Sequence, residues 1–423
     1  MLTNKNQKNI YPQDLAACGI VMLAPFSNLI LQSSGLGILG ASASFPFAFT
    51  AALLIIATTL LRQRIKKTTL CIIGYCFAIT LLYSALINDT VNTENAYIKG
   101  VKFSILYLTA ISCAFIQIRK TSLINKSCWM ALIICAVSLY PPFSEIKFLN
   151  YAGNSEGRPR GFTMESSHYA LIVGSISAII FHLERSALKK SIAVSIGLLL
   201  IIFSQSKAGI LLYCLSFFIY YAQGIFEKKS KSRNILLFLL ALSLITLVAI
   251  PFFLERMQND IDKYTSTATR VVGFISAFKI AAENPLGVGF LGYVEYYLNA
   301  IPKAIVTVKS YVPYLDFTEI TDYTKQQNTQ SLGTKSFFAD SLIIFGFPFL
   351  IAYFYSFKML YRKAKETGNK NLIPGIIFMY LSLLFWTSGI GFYITFLIPA
   401  FLSKKNFAKH ENSNYISRSS IPT

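Results

Sequence analysis

Hydrophobic positions along this chain gather into continuous runs of about 15 to 25 residues, separated by short polar segments, with no strict alternation of the kind a half-buried strand shows. At about 1.5 Å per helical residue, each run can cross roughly 30 Å of hydrocarbon. The pattern predicts about twelve transmembrane helices, near 15–32, 37–61, 70–87, 101–118, 128–143, 168–183, 191–205, 208–226, 234–254, 338–357, 372–388 and 389–403. The expected architecture is therefore an all-α polytopic integral membrane protein, one membrane domain over residues 1–423. Two connections are long, 144–167 and 255–335, and polar chemistry is expected there.

Composition strengthens this picture. Hydrophobic residues make up 54% of the chain and charged ones 14%, with a mean hydropathy of +0.52, values that exclude an ordinary water-soluble domain. The formal charge of +20 would fit a nucleic-acid partner if it formed one basic face. It does not. Most Lys and Arg fall in alternate connections: Arg62 to Lys67, Arg119 to Lys126, Arg185 to Lys190, Lys228 to Arg233, Lys358 to Lys370, and both tails. That is the positive-inside pattern of a polytopic membrane protein with both termini in the cytoplasm, and it leaves both long loops on the outer face. The expected partner of the surface is the lipid bilayer, with no nucleic acid. The seven cysteines lie in or beside apolar runs, so no disulfide or metal framework is expected. Ala41-Ser42-Ala43 imitates a signal-peptidase site, but the preceding run exceeds a signal sequence, and the segment is expected to stay.

Within the larger loop, Thr269 to Glu283 has Val271, Ile275, Phe278 and Ala282 at helical spacing, followed by Asn284 and Pro285. This predicts an amphipathic helix lying on the membrane or over a cavity. The loop tyrosines (Tyr264, Tyr293, Tyr296, Tyr297, Tyr311, Tyr314, Tyr323) are read as an interfacial belt in preference to sugar-stacking platforms.

Ionisable chemistry is concentrated in Gly157-Arg158-Pro159-Arg160-Gly161-Phe162-Thr163-Met164-Glu165-Ser166-Ser167-His168, which leads into the sixth helix. Arginine offers two parallel donors to phosphate oxygens, so Arg158 and Arg160 suit a diphosphate; a snorkelling cluster paired with Glu156 or Glu165 explains the same residues. Lys207, in Ser206-Lys207-Ala208-Gly209, stands between two helices, either as a second phosphate ligand or snorkelling to the interface. Arg270 begins the amphipathic helix, and Asn284-Pro285-Leu286-Gly287-Val288-Gly289 closes it with a turn that lets the backbone approach a ligand or another segment.

These motifs, in this order, resemble the O-antigen polymerase and O-antigen ligase superfamily, the Wzy-type proteins. That family carries Arg-x-x-Gly followed by Glu-Pro-Ser at a helix start; here Arg158, Gly161, Phe162, Glu165 and Ser167 fit, with Ser166 in place of Pro. A Ser-Arg/Lys-x-Gly step is matched by Ser206, Lys207 and Gly209, and a helix beginning with Arg before Asn-Pro-Leu-Gly-x-Gly by Arg270, Asn284, Pro285, Gly287 and Gly289.

The resemblance implies a metal-independent, C-type glycosyltransferase fold without cofactor, acting on an undecaprenyl-diphosphate-linked glycan as donor and another as acceptor. A chain-length regulator and a flippase of the same pathway are implied partners. On that scheme Arg158, Arg160, Lys207 and Arg270 bind the diphosphate, Arg158 also serves catalysis, Glu165 or His168 is the base, and Gly161, Gly287 and Gly289 shape the loops. The expected activity is polymerisation of repeat units into O-antigen or a related surface polysaccharide.

Two rivals remain. A ligase of the same superfamily is expected to use a histidine in the large loop, and this chain's three are His168, His182 and His410. A transporter or flippase should carry ionisable residues inside several helices, and only Asp340 and Lys102 stand out as weak anchors.

Overall fold

The computed structural model describes residues 11–27, 42–61, 67–84, 93–140, 143, 146, 159–227, 265–325, 332–385 and 393–402, and all secondary structure among them is helical. The helices are α1 (Pro12–Leu23), α2 (Phe45–Leu61), α3 (Lys67–Ser84), α4 (Thr93–Cys113), α5 (Thr121–Ser138), α6 (Ser166–Leu183), α7 (Ala187–Phe203), α8 (Lys207–Glu227), α9 (Thr265–Glu283), α10 (Gly289–Tyr311), α11 (Thr318–Lys325), α12 (Phe337–Glu366), α13 (Ile373–Phe385) and α14 (Tyr393–Leu397). By length and composition α5, α6 and α12 can cross a membrane, and α1, α2, α13 and α14 are shorter apolar helices. Large apolar side chains such as Leu188, Phe203, Phe115, Ile351 and Phe354 face outward, as a membrane-embedded protein requires. The expected span 234–254 and both tails lie outside the described residues.

Two helices organise the bundle. α6, buried from Tyr169 to Phe181, packs against α5, α7, α8, α13 and α14. Small residues let these helices approach closely: Gly197 lies against Ser177, whose hydroxyl is 2.6 Å from that of Tyr213. α10 is the second organiser, surrounded by α3, α4, α9, α11 and α12. Sequence patterning placed 289–311 in a loop because Pro302, Lys303, Glu295 and the tyrosines lower its hydropathy. The structure instead gives a 23-residue helix whose Tyr293 and Tyr297 are fully buried, so these two are core residues and not part of an interfacial belt. Tyr311 and Tyr314 are exposed, and Tyr264 lies outside the described residues.

The amphipathic helix exists as α9, but its buried face differs from the one expected. Ala268, Val272, Ala277, Ile280 and Ala281 are buried against α10 and α12, while Phe278 and Ala282 point outward. Small side chains win the interface because they allow helix axes to approach, and bulky Phe278 is left for the surrounding apolar medium.

Capping joins the helices across the chain. Asp14, fully buried on α1, accepts the backbone N–H groups of Arg119 (2.8 Å) and Lys120 (3.2 Å) at the entrance to α5. The Asn284 to Gly289 turn docks on a kink inside α12, where Gly346 adopts φ 62°. Phe347 N donates to Pro285 O (2.9 Å) and Val288 N to Ile343 O (3.0 Å), while the Tyr75 hydroxyl donates to Leu286 O (2.7 Å). A side chain on Gly346 would put its Cβ 2.2 Å from Pro285 O, and one on Gly287 2.4 Å from Ile344 O. Gly287 and Gly289 thus serve approach to other backbone of the same chain.

Gly346→Ala is accordingly expected to cost more than the ~1–3 kcal/mol of backbone strain alone, since its φ of 62° and ψ of −154° fall in a region essentially confined to glycine. Thermal unfolding of the detergent-solubilised protein should show a drop of several degrees. Gly74→Ala, at an exposed α3 position with open space, should leave the transition unchanged or raise it slightly; equal effects at the two positions would contradict the backbone docking.

Candidate functional site

The segment preceding α6 is built to hold its shape. Gly161 at φ 55° passes so close to α5 that a Cβ there would meet Ser138 Oγ at 2.2 Å. The Thr163 hydroxyl is within 2.7 Å of Arg160 O and 2.8 Å of Glu165 O. Phe162 stacks on Phe26 with ring centroids 5.4 Å apart, and its carbonyl accepts from Ser27 N (3.2 Å). Tyr169, in the first turn of α6, donates to Cys135 O (2.8 Å). Arg160 is buried inside this fold of chain and donates to Met164 O. Burial draws its guanidinium below the ordinary arginine value, and the carboxylate of Glu165 pushes it back up. Arg158 lies outside the described residues.

Glu165 has an extended backbone at the N-cap of α6, with its carboxylate at the helix N-terminus, where the dipole favours a negative charge. Its Oε2 accepts from the Ser167 hydroxyl (2.9 Å) and stands 4.0 Å from His168 Nε2. The side chain is half exposed, so it can meet a solute. His168 holds the Glu165 carboxyl below the usual carboxylate range; partial burial opposes this, and Lys335, the Ser167 hydrogen bond and Arg270 add to it. At neutral pH the group is a carboxylate, able to accept a proton.

Those charges come from three separate parts of the chain. Arg270 acts from the second turn of α9 on both Glu165 and His168. Lys335 acts on the same two groups from a short strap, residues 332–336, that precedes α12. The Lys335 ammonium pairs with Glu319 Oε1 on α11, Oε2 of the same carboxylate accepts from Thr269 on α9 (3.0 Å), and the Tyr323 hydroxyl donates to Oε1 (3.1 Å). Glu319 therefore ties α9, α11 and the strap together beside the Glu165–His168 pair.

Of the residues expected from sequence, Glu165, His168 and Arg270 come together. Arg160 lies next to them, turned into the loop's interior. Lys207 is the first residue of α8, behind Ser206, whose hydroxyl accepts from Gly209 N (3.3 Å) as a helix cap. It is not among the charges acting on Glu165. Sequence reasoning missed Lys335, Glu319, Thr269 and Tyr323. For Lys335 a signal existed: Gly333-Thr334-Lys335-Ser336 puts a charge immediately ahead of a helix capped by Ser336, as Glu165 puts one at the start of α6.

The arrangement brings two cations to act on one half-exposed carboxylate. A polar substrate carrying a diphosphate could place its anionic group between Arg270 and Lys335 and a hydroxyl against Glu165.

Comparison with known proteins gives two matches. Residues 192–354 match a family model described as O-antigen ligase, a stretch that includes Lys207, Arg270, Glu319 and Lys335. Over 406 residues the chain is 29% identical to a Klebsiella pneumoniae protein described as "Uncharacterized 49.5 kDa protein in cps region", covering 92% of each chain. The family match agrees with the resemblance and covers the motifs at Ser206 to Gly209 and Arg270 to Gly289.

Proposed function

We propose, for a chain that resembles the O-antigen polymerase and ligase superfamily, that it polymerises undecaprenyl-diphosphate-linked repeat units at the periplasmic face of the bacterial inner membrane. In this reading the chain has about twelve spans and cytoplasmic termini, and it belongs to the C-type glycosyltransferases. The observation that carries the reading is the meeting of Glu165 and His168 with Arg270 and Lys335.

Glu165, or His168 beside it, takes the proton of an acceptor sugar hydroxyl as that oxygen bonds the donor's anomeric carbon. The bond from that carbon to the phosphate oxygen breaks, and the electron pair leaves with the lipid diphosphate. Arg270 and Lys335, with Arg158 from the adjacent loop, neutralise the leaving group. Arg160, buried and engaged with Met164, braces the loop that presents Glu165.

A ligase would use the same donor but a different acceptor, and the matched family's description as O-antigen ligase keeps it as the second reading. The absence of histidine from 255–335 favours the polymerase. For a transporter, the buried ionisable residues should mark a route through several helices. Asp14, Lys99 and Asp340 are indeed buried on α1, α4 and α12, but Asp14 caps the entrance to α5 and the other two belong to one cluster against the strap. Lys99 escaped sequence analysis because the expected span began at 101, whereas α4 starts at Thr93.

The deciding experiment is deletion of the gene in its own strain, followed by a gel of surface polysaccharide. Loss of the ladder with retention of core bearing one repeat unit is expected. Bare core with full-length polymer left on the lipid carrier would establish the ligase, and an unchanged ladder would refute both.

A further inference from the structure

We propose that Asp340 is a positioning residue for the candidate site, acting through Thr334 to hold the strap that presents Lys335. This rests on the reading of Lys335 as a diphosphate ligand.

Asp340 lies in the first turn of α12 and is 1% exposed. An ionisable group buried at such a place is costly unless partnered, and its partners indicate its role. Three donors reach Oδ1: the Tyr293 hydroxyl (2.5 Å), the Thr334 hydroxyl (2.8 Å) and the Thr334 backbone N–H (3.1 Å). Two of the three belong to the residue immediately before Lys335. Oδ2 of the same carboxyl group accepts no hydrogen bond among the described residues. Lys99, from α4, acts on that group and donates its ammonium proton to Leu332 O, the first residue of the strap.

The remaining strap residues are held in the same way. The Tyr297 hydroxyl reaches Gly333 O at 3.5 Å, and Ser336 both donates to Leu384 O (2.7 Å) and caps α12 by accepting from Ala339 N (3.2 Å). Residues 332, 333, 334 and 336 are thus anchored to the bundle by four different helices. Between them Lys335 takes φ 57°, a conformation that is strained for a non-glycine residue and persists only when its neighbours impose it. Lys335 then points toward Glu319 and the Glu165–His168 pair, away from its neighbours' anchors. A network that served the fold alone would satisfy the strap backbone; this one also forces the residue that faces the site into a left-handed turn.

Binding of inorganic pyrophosphate to the full-length protein in lipid nanodiscs, measured by calorimetry, tests this. Lys335→Met is expected to weaken binding about 10- to 100-fold, as for one lost charge-assisted hydrogen bond. Asp340→Asn should weaken it comparably, and the double variant should bind no more weakly than Lys335→Met alone, because Asp340 acts only through Lys335. Additive losses, or wild-type affinity in Asp340→Asn, would overturn the positioning role while leaving the site intact. Wild-type affinity in Lys335→Met would sink the diphosphate reading itself. Should Asp340→Asn not fold, the pair Thr334→Val and Thr334→Ser decides. Valine, lacking the hydroxyl, should behave as Lys335→Met, and serine should restore binding; equal affinities in the two would refute the tether.

Discussion

Glu165→Gln should abolish chain extension while the protein still reaches the membrane in normal amount. The amide keeps the size of the side chain and can still accept from Ser167, but it cannot take a proton. Removing a general base typically lowers a rate by about 10²- to 10⁴-fold, enough to leave only the single-repeat band on a polysaccharide gel. The pH dependence separates a base from a structural carboxylate. Glu165 acts as the deprotonated form, so wild-type activity is present above its pKa and falls as pH drops through it. Because His168, Lys335 and Arg270 hold that pKa down, the acid limb should lie below about pH 4.3, the ordinary glutamate value. Lys335→Met should move the limb upward in the residual activity. An intact ladder in Glu165→Gln would exclude Glu165 as the base and transfer the role to His168, whose substitution by Gln must then be inactive.

Arg270→Lys should be nearly as damaging although it conserves charge. A guanidinium offers a planar fork of donors to two phosphate oxygens, whereas an ammonium is a single compact charge. Loss of one well-placed donor to a developing anion costs on the order of 100- to 1,000-fold in rate. In the repeat-unit transfer assay the ladder should collapse to short chains, with unchanged thermal stability of the purified protein. Arg158→Lys, in the loop before Glu165, is expected to give the same phenotype. Arg160→Lys should differ in kind. Arg160 is buried and donates to Met164 O, so its replacement should lower the melting temperature along with the activity. Wild-type ladders from both Arg270→Lys and Arg158→Lys would remove the diphosphate from this site.

How far each part was legible follows from the range of the interaction that decides it. The apolar runs that became α5, α6 and α12 announce themselves because a helix in hydrocarbon must be apolar over its own length, a local requirement. Glu165, His168 and Arg270 were legible because charge clustered at helix starts is a feature of neighbouring positions. Lys335 and Glu319 were not, because their importance comes from meeting residues far away in the chain. α10 was missed for a related reason: its polar and aromatic positions look interfacial until α3, α4, α9 and α12 are seen to cover them.

Sequence alone thus determined the helical membrane architecture, the position of the charged segment before α6, and the glycine turns, since hydropathy, capping and left-handed backbone are properties of a residue and its near neighbours. Only tertiary structure decided which face of α9 is buried, that Tyr293 and Tyr297 are core, and which charges surround Glu165. Those outcomes depend on packing between segments distant in the chain, where small residues let helices close together and the donors around Asp340 fix the turn that delivers Lys335.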